Sequence, residues 1–205
     1  MAARINDTPR PDLAAIERFL ASGVIDRDAW HDGTGYRIDA LGRMDPLTQD
    51  ELARRLPVRG WREVEVLAAL DTPIARAALR TGFEAAGPAR TEIGLALLRW
   101  RPDVLTEPER TAVVVRAIEM ARGGDGLDAA LDAALAWHPA EVVQALWRAL
   151  EADDRTVVVH VAALLHHLLG LTSEPFDLSM RRQFLRFADE SAEERAAARA
   201  ALRGG

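Results

Sequence analysis

RTVVVHVAALLHHLLGL, residues Arg155 to Leu171, is the stretch whose reading decides the fold. Val157, Val158, Val159, Val161, Leu164, Leu165, Leu168 and Leu169 leave no broad polar face. A helix of this kind must be covered by neighbours on more than one side. The run is too short for a membrane span, and it carries His160, His166 and His167. We read it as the inner helix of a stacked helical array.

Working upstream, the same grammar recurs. Pro139 opens a helix through Val142, Val143, Leu146, Trp147 and Leu150. Before it, Leu127 to His138 carries Leu131, Ala134 and Leu135 on one side. Thr106-Glu107-Pro108-Glu109 is a helix start: an N-cap hydroxyl, a proline in the first turn and a glutamate to complete a capping box. Thr72-Pro73 opens an earlier helix, and Gly87-Pro88 separates it from one through Ile93, Leu97 and Trp100. Pro73, Pro108 and Pro139 stand 35 and 31 residues apart (73 to 108, 108 to 139). Two helices per interval of this size is the period of a helical solenoid.

Further upstream the pattern is less regular. Asp12 to Ala21 is an amphipathic helix ended by Gly23. Val24 to Gly35 is irregular, and Ile38, Leu41 and Met44 suggest a short helix. Asp45-Pro46 starts another that ends before Pro57, and Trp61 to Leu70 is the next. Downstream of Gly170, Thr172 to Asp177 is a turn-rich loop. Ser179 to Phe187 reads as a short helix with Met180, Phe184, Leu185 and Phe187 as its apolar residues. Ser191 and Glu194 form a second capping box before an Ala-rich last helix, Ala192 to Leu202.

The expected fold is therefore all-α: an α-solenoid of stacked antiparallel helix pairs over residues 71–171. An irregular N-terminal helical part, 1–70, precedes it, and a short C-terminal helical cap, 172–205, follows within one domain. The region 71–171 resembles HEAT-like repeats, on its proline-started outer helices, small-residue and Leu-rich inner helices and short linkers. In that family an Asp and an Arg often stand in the second helix; here Arg90 and Arg155 fall near suitable places. The segment from His160 through Phe187 is also similar to the C-terminal part of small bacterial helical proteins, some of them in toxin–immunity settings. The resemblance implies a fold and not a reaction.

Composition narrows the chemistry. The 205 residues carry a formal net charge of −6, which argues against non-specific binding to nucleic acid or to an anionic membrane. The HEAT-like DNA glycosylases, which need a basic groove, are disfavoured on the same ground. There is no Cys, so thiol nucleophiles, disulfides and Cys-based metal sites are excluded. All 26 basic residues are Arg, which excludes Schiff-base lysines and a Walker lysine. The Arg and Ala bias resembles that of GC-rich bacterial genomes. Met1 to Arg10 has no apolar core of a secretory signal, so a cytoplasmic protein is expected.

Candidate sites are few. His160 and His167 share a helix face but stand about 10 Å apart along the axis, too far for direct ligation of one metal. No metal and no cofactor are expected. Trp30-His31-Asp32-Gly33-Thr34-Gly35-Tyr36 is the most site-like stretch, with an imidazole, a carboxylate and two aromatic rings beside a tight loop. Its plain reading is an ordered turn anchored by Trp30. The other readings are a partner contact through Trp30, His31, Asp32 and Tyr36, or catalysis. Trp100 and Trp137 are packing residues or binding anchors. Arg181 and Arg182 belong to a salt-bridged helix or meet an acidic partner. The acidic runs Glu151 to Asp154 and Asp189 to Glu194 cap helices, or form a negative face for a basic partner. The leading expectation is a non-enzymatic protein-binding module of the immunity or adaptor kind, whose partner is another protein, such as a basic toxin or a client. The alternative is an enzyme or small-ligand protein using the Trp30–Tyr36 loop.

Overall fold

The computed structural model describes residues 9–24 and 35–204. Among them the chain is all-helical, and its only extended pairing is an isolated bridge at Arg122. By internal contact it divides into two compact units, Met1–Leu105 and Thr106–Gly205. The division falls at the short turn that follows Arg101-Pro102, inside the expected repeat region.

The first unit holds α1 (Leu13–Ser22), α2 (Pro46–Arg55), α3 (Trp61–Leu70), α4 (Pro73–Ala85) and α5 (Arg90–Trp100). Asp45 and Thr72 cap α2 and α4 with side-chain oxygens, each followed by proline at the first helical position. The expected helix at Ile38 is a 3-10 helix, Ile38–Arg43. Its carbonyls at Leu41 and Met44 are met by Gln49 Nε2 at 3.0 and 3.2 Å, which holds this tighter coil against α2.

Thr48, fully buried, joins α1 to α2. Its hydroxyl donates to Asp45 at 2.5 Å and accepts the Asp12 N–H at 2.8 Å. That hydroxyl and the backbone N–H groups of Thr48 and Leu47 hold the Asp45 carboxyl below its ordinary range. Gly82 is required by a close approach: a Cβ there would stand 2.4 Å from Val58 Cβ in the α2–α3 linker. Ile16, Leu52, Leu67, Leu79, Phe83, Ile93 and Leu97 form the core. Here α2 packs on α4 and α3 on both α4 and α5.

Arg101 locks the turns of this unit. Its side chain is 11% exposed and donates to both oxygens of Asp103, at 3.0 and 3.1 Å, and to Asp71. Arg76 bridges Asp71 at 2.9 Å and Asp103 at 3.8 Å, closing a ring of alternating charge. Asp71 takes the left-handed conformation at the end of α3, with φ of 49°. The guanidiniums of Arg76 and Arg101 lower the Asp71 carboxyl pKa, and that of Arg101 lowers Asp103. Arg90 stacks on the Phe83 ring at 4.2 Å.

The second unit holds α6 (Glu107–Met120), α7 (Leu127–Ala136), α8 (Ala140–Ala149), α9 (Arg155–Leu168), α10 (Arg181–Leu185) and α11 (Ala192–Gly204). The capping box of Thr106 and Glu109 opens α6 as expected, the carboxylate accepting the Thr106 N–H at 2.9 Å. α6 packs on α7 and α8, and α9 on α7, α8 and α10. α9 is the inner helix that its composition implies: eight of its 14 residues are buried. Asp154 caps it, accepting the N–H groups of Thr156 and Val157 at 2.9 and 3.2 Å, and also that of Gly123 at 2.8 Å. One carboxylate thereby fastens the α6–α7 turn to the start of α9. The Gly123 N–H is the largest of the causes that lower its pKa. Gly170, with φ of 76°, ends α9 in a Schellman motif: Leu171 N–H donates to His166 at 2.8 Å and Gly170 N–H to His167 at 2.9 Å.

Two local expectations differ from the structure. Ser191 and Glu194 make half a capping box. Ser191 Oγ accepts the Glu194 N–H at 3.3 Å, but the Ser191 N–H goes to Asp189 at 2.8 Å and the Glu194 carboxylate to Arg186 at 3.1 Å. Upstream Asp189 and the longer reach of Arg186 outcompete the reciprocal contact. The short helix at Ser179 is a composite of 3-10, α and 3-10 turns over 178–188. Of its apolar residues, Phe184 and Phe187 are buried and Leu185 is 47% exposed.

Candidate functional site

Trp30, His31 and Asp32 lie outside the described residues. Tyr36, at the other end of that stretch, is a structural pin. Its ring stacks on Phe19 at 5.4 Å and 9°, and it occupies the space a side chain on Gly23 would need. Its hydroxyl donates to Glu63 Oε1 at 3.3 Å. Burial, then the Glu63 carboxylate, raises its pKa. Tyr36 and Trp100 both come to the start of α3. Trp100 stacks on Trp61 at 6.3 Å and 22°, with Arg62 over the Trp61 ring at 5.0 Å and Arg99 over Trp100 at 5.2 Å. Arg62 also backs onto Gly35, and its Nε is buried with no hydrogen-bond partner among the described residues. The helix start itself is already capped: Glu63 accepts the Gly60 N–H at 2.9 Å and Glu92 the Trp61 N–H at 3.4 Å.

An open groove of about 400 Å³ lies between α1, the 3-10 helix and α2, with Arg18, Phe19, Arg37, Arg43 and Thr48 in its walls. Its polar groups are largely spent on one another. Arg43 and Arg37 pair with Asp39 at 3.1 and 3.8 Å, and Asp12, Asp45 and Thr48 form the cap network described above.

In the second unit Trp137 is a packing residue with a polar tether. Its Nε1–H donates to Thr111 Oγ1 at 3.1 Å, and Arg110 lies over the ring at 5.5 Å. The described histidines serve structure. His166 is 1% exposed; its Nδ1 bonds the Ala162 carbonyl at 2.7 Å. A carbonyl only accepts, so Nδ1 carries the proton and Nε2 is left to accept from Gln183 Nε2 at 3.2 Å. The rings of Phe184 and Phe187 meet His166 edge-on at 5.1 and 5.6 Å. His160 bonds the Thr156 carbonyl and His167 the Thr172 carbonyl. Among the described residues no group of three or more His, Asp or Glu side chains is placed to hold a metal.

The segment over 178–188 is different. Gln183, Phe184 and Phe187 meet His166 of α9, with both phenylalanines buried. Leu178 in the 3-10 turn and Arg181, Arg182 and Leu185 in α10 are instead turned to solvent. All four are exposed, Leu178 to 83%. Among the described residues Arg181 and Arg182 have no ionic partner, whereas neighbouring Arg186 pairs with Glu194 at 3.1 Å. Sequence reasoning found the two arginines and missed the two leucines. The spacing i, i+3, i+4, i+7 was the available signal, but the helix was read as starting at Ser179, which left Leu178 out of it.

The acidic runs are largely engaged. Glu151 pairs with Arg199 at 3.4 Å, Asp154 caps α9, Asp189 accepts the Ser191 N–H, and Glu190 reaches Arg155 at 3.8 Å. Among the described residues no helix is long and apolar enough to cross a membrane. Compared with known proteins, the chain matches no family, no curated protein and no solved structure.

Proposed function

We propose that the chain is a non-enzymatic protein-binding module, of the immunity or adaptor kind, and that it engages its partner through the stripe Leu178, Arg181, Arg182 and Leu185. The observation that carries this reading is the exposure of two leucines, at 83% and 47%, around two guanidiniums with no ionic partner among the described residues. Isolated surface leucines are ordinary, but an ordered apolar and basic helix face, backed by a packed core, is what a recognition surface needs. In this reading the helix pairs stack as a HEAT-like solenoid. Within each unit helices pack on the next but one as well as on the next, as α3 does on α5 and α6 on α8, which supports it. A basic partner is the weaker candidate, since most of the carboxylates of the two acidic runs already have local partners.

A tagged pull-down from the native bacterium tests the reading, run beside a Leu178→Ser/Leu185→Ser variant of unchanged circular dichroism. Wild type should enrich a protein that the variant loses. Equal recovery by both proteins removes the stripe from the interaction. A second reading, a small-ligand protein or enzyme using the Trp30–Tyr36 loop, draws on the buried Nε of Arg62 beside Gly35, which has no partner among the described residues. It expects His31→Ala and Asp32→Ala to abolish a ligand response without unfolding the chain.

A further inference from the structure

The chemistry of the stripe narrows what it can bind. We infer that its partner is an acidic, apolar helical segment of another protein; this rests on the reading that the stripe is a binding face.

Leu178 and Leu185 are seven residues apart across a 3-10 turn and the short α10, with Arg181 and Arg182 between them and all four exposed. A helix laid alongside would meet the leucines with apolar residues at the same spacing and the guanidiniums with carboxylates. Two guanidiniums side by side repel a basic partner. They have strong use for carboxylates, which Arg grips through two parallel N–H···O bonds. The face is ordered from behind. Phe184 and Phe187 are buried, and Gln183 is tied to the buried His166. The arginines therefore project from a helix whose rotation is set, and little backbone order is lost on binding.

An anionic lipid surface presents the same charge but fits less well. Stable electrostatic attachment takes clusters of about four to eight basic residues, and this face has two exposed arginines without ionic partners in a chain of net charge −6. Leu169 and Leu171, also exposed, close the C-terminal end of α9, against which α10 packs. Even with them the apolar area is small. Interfaces below about 1,200 Å² in total sit at the weak, transient end, so a dissociation constant in the micromolar range or above is expected.

The test uses the full chain and two labelled 14-residue helical peptides. Both carry leucines one heptad apart. One places two glutamates between them and the other two glutamines. Fluorescence anisotropy should show the glutamate peptide binding about ten-fold or more tightly than the glutamine peptide, with the gap closing as salt rises. R181Q/R182Q should erase the preference for glutamate, while L178S/L185S weakens both peptides. Equal affinity for the two peptides overturns the acidic partner and leaves the stripe as a binding face. Failure of both peptides up to millimolar concentration, alongside a pull-down partner lost in L178S/L185S, overturns the acidic helix alone. Failure of both with no such partner overturns the stripe as well. Co-sedimentation with vesicles containing about one third phosphatidylserine, lost in R181Q/R182Q, assigns the face to membrane instead and also overturns the inference.

Discussion

α9 and the segment over 178–188 both place leucines on helical turns, and they spend them in opposite ways. Every third or fourth residue of α9 is covered, and so are most of those between, down to an imidazole at 1% exposure. The later segment buries one face and turns its leucines outward. The arginines of the later segment mark it as partly outward, and its neighbours decide which of its apolar residues are covered. α9 has α7, α8 and α10 around it, whereas α10 has α9 behind it and its outer face uncovered. Apolar content alone says that a helix will be used, and the number of packed sides says whether as core or as surface.

The sharpest way to break this contrast is Leu164→Ala in α9 against Leu185→Ala in α10. Leu164 is fully buried, so its loss should cost about 2–5 kcal/mol in urea unfolding. Leu185→Ala should change stability by no more than about 0.5 kcal/mol. Equal costs would mean that the outer face is packed. Next in size is His166→Ala, which leaves a void between Phe184 and Phe187 and strands Gln183. It should cost about 1–3 kcal/mol. It should also speed tryptic cleavage after Arg181 and Arg182, because the tie that orients α10 is gone.

A smaller effect is expected at the start of α9. Asp154→Ala removes three backbone hydrogen bonds and should lower the melting temperature by a few degrees at neutral pH. The Asp154 carboxyl pKa is depressed in the folded state, first by the Gly123 N–H. Its contribution is therefore complete above the unfolded carboxyl value, about pH 4, and fades as pH falls through the lower folded value. The wild type and variant melting curves should converge in acid. Smallest of all is Arg181→Gln/Arg182→Gln, which should leave stability within about 0.5 kcal/mol, because neither arginine has an ionic partner to lose among the described residues. A large loss there would show that these side chains hold the fold rather than offer it.

Helix starts were the most legible part of the chain. Asp45-Pro46, Thr72-Pro73 and Thr106 to Glu109 cap where their residue types say they should, because a cap is a local hydrogen bond between near neighbours. What depends on distant residues was harder to read. Ser191 and Glu194 have the right spacing, yet Arg186 takes the glutamate. Tyr36 looked like part of a site and is a pin over Gly23, which only the fold brings beneath it. Trp100 found its partner in Trp61, and no local pattern links residues so far apart in sequence. Of the candidate site, Arg181 and Arg182 were visible as basic residues, with a salt-bridged helix and an acidic partner both open. Leu178 and Leu185 were not, since their outward phase depends on which residues His166 draws inward.

The ring of Arg76, Asp71, Arg101 and Asp103 has a thermal consequence. It joins two turns of the first unit to the start of α4 through charge, around an arginine only 11% exposed. Stripping water from such groups becomes less costly on heating, while apolar burial gains little more. The joint between α3, α4 and the end of α5 should therefore hold comparatively better as temperature rises, and the aliphatic core around it should be the part that yields first.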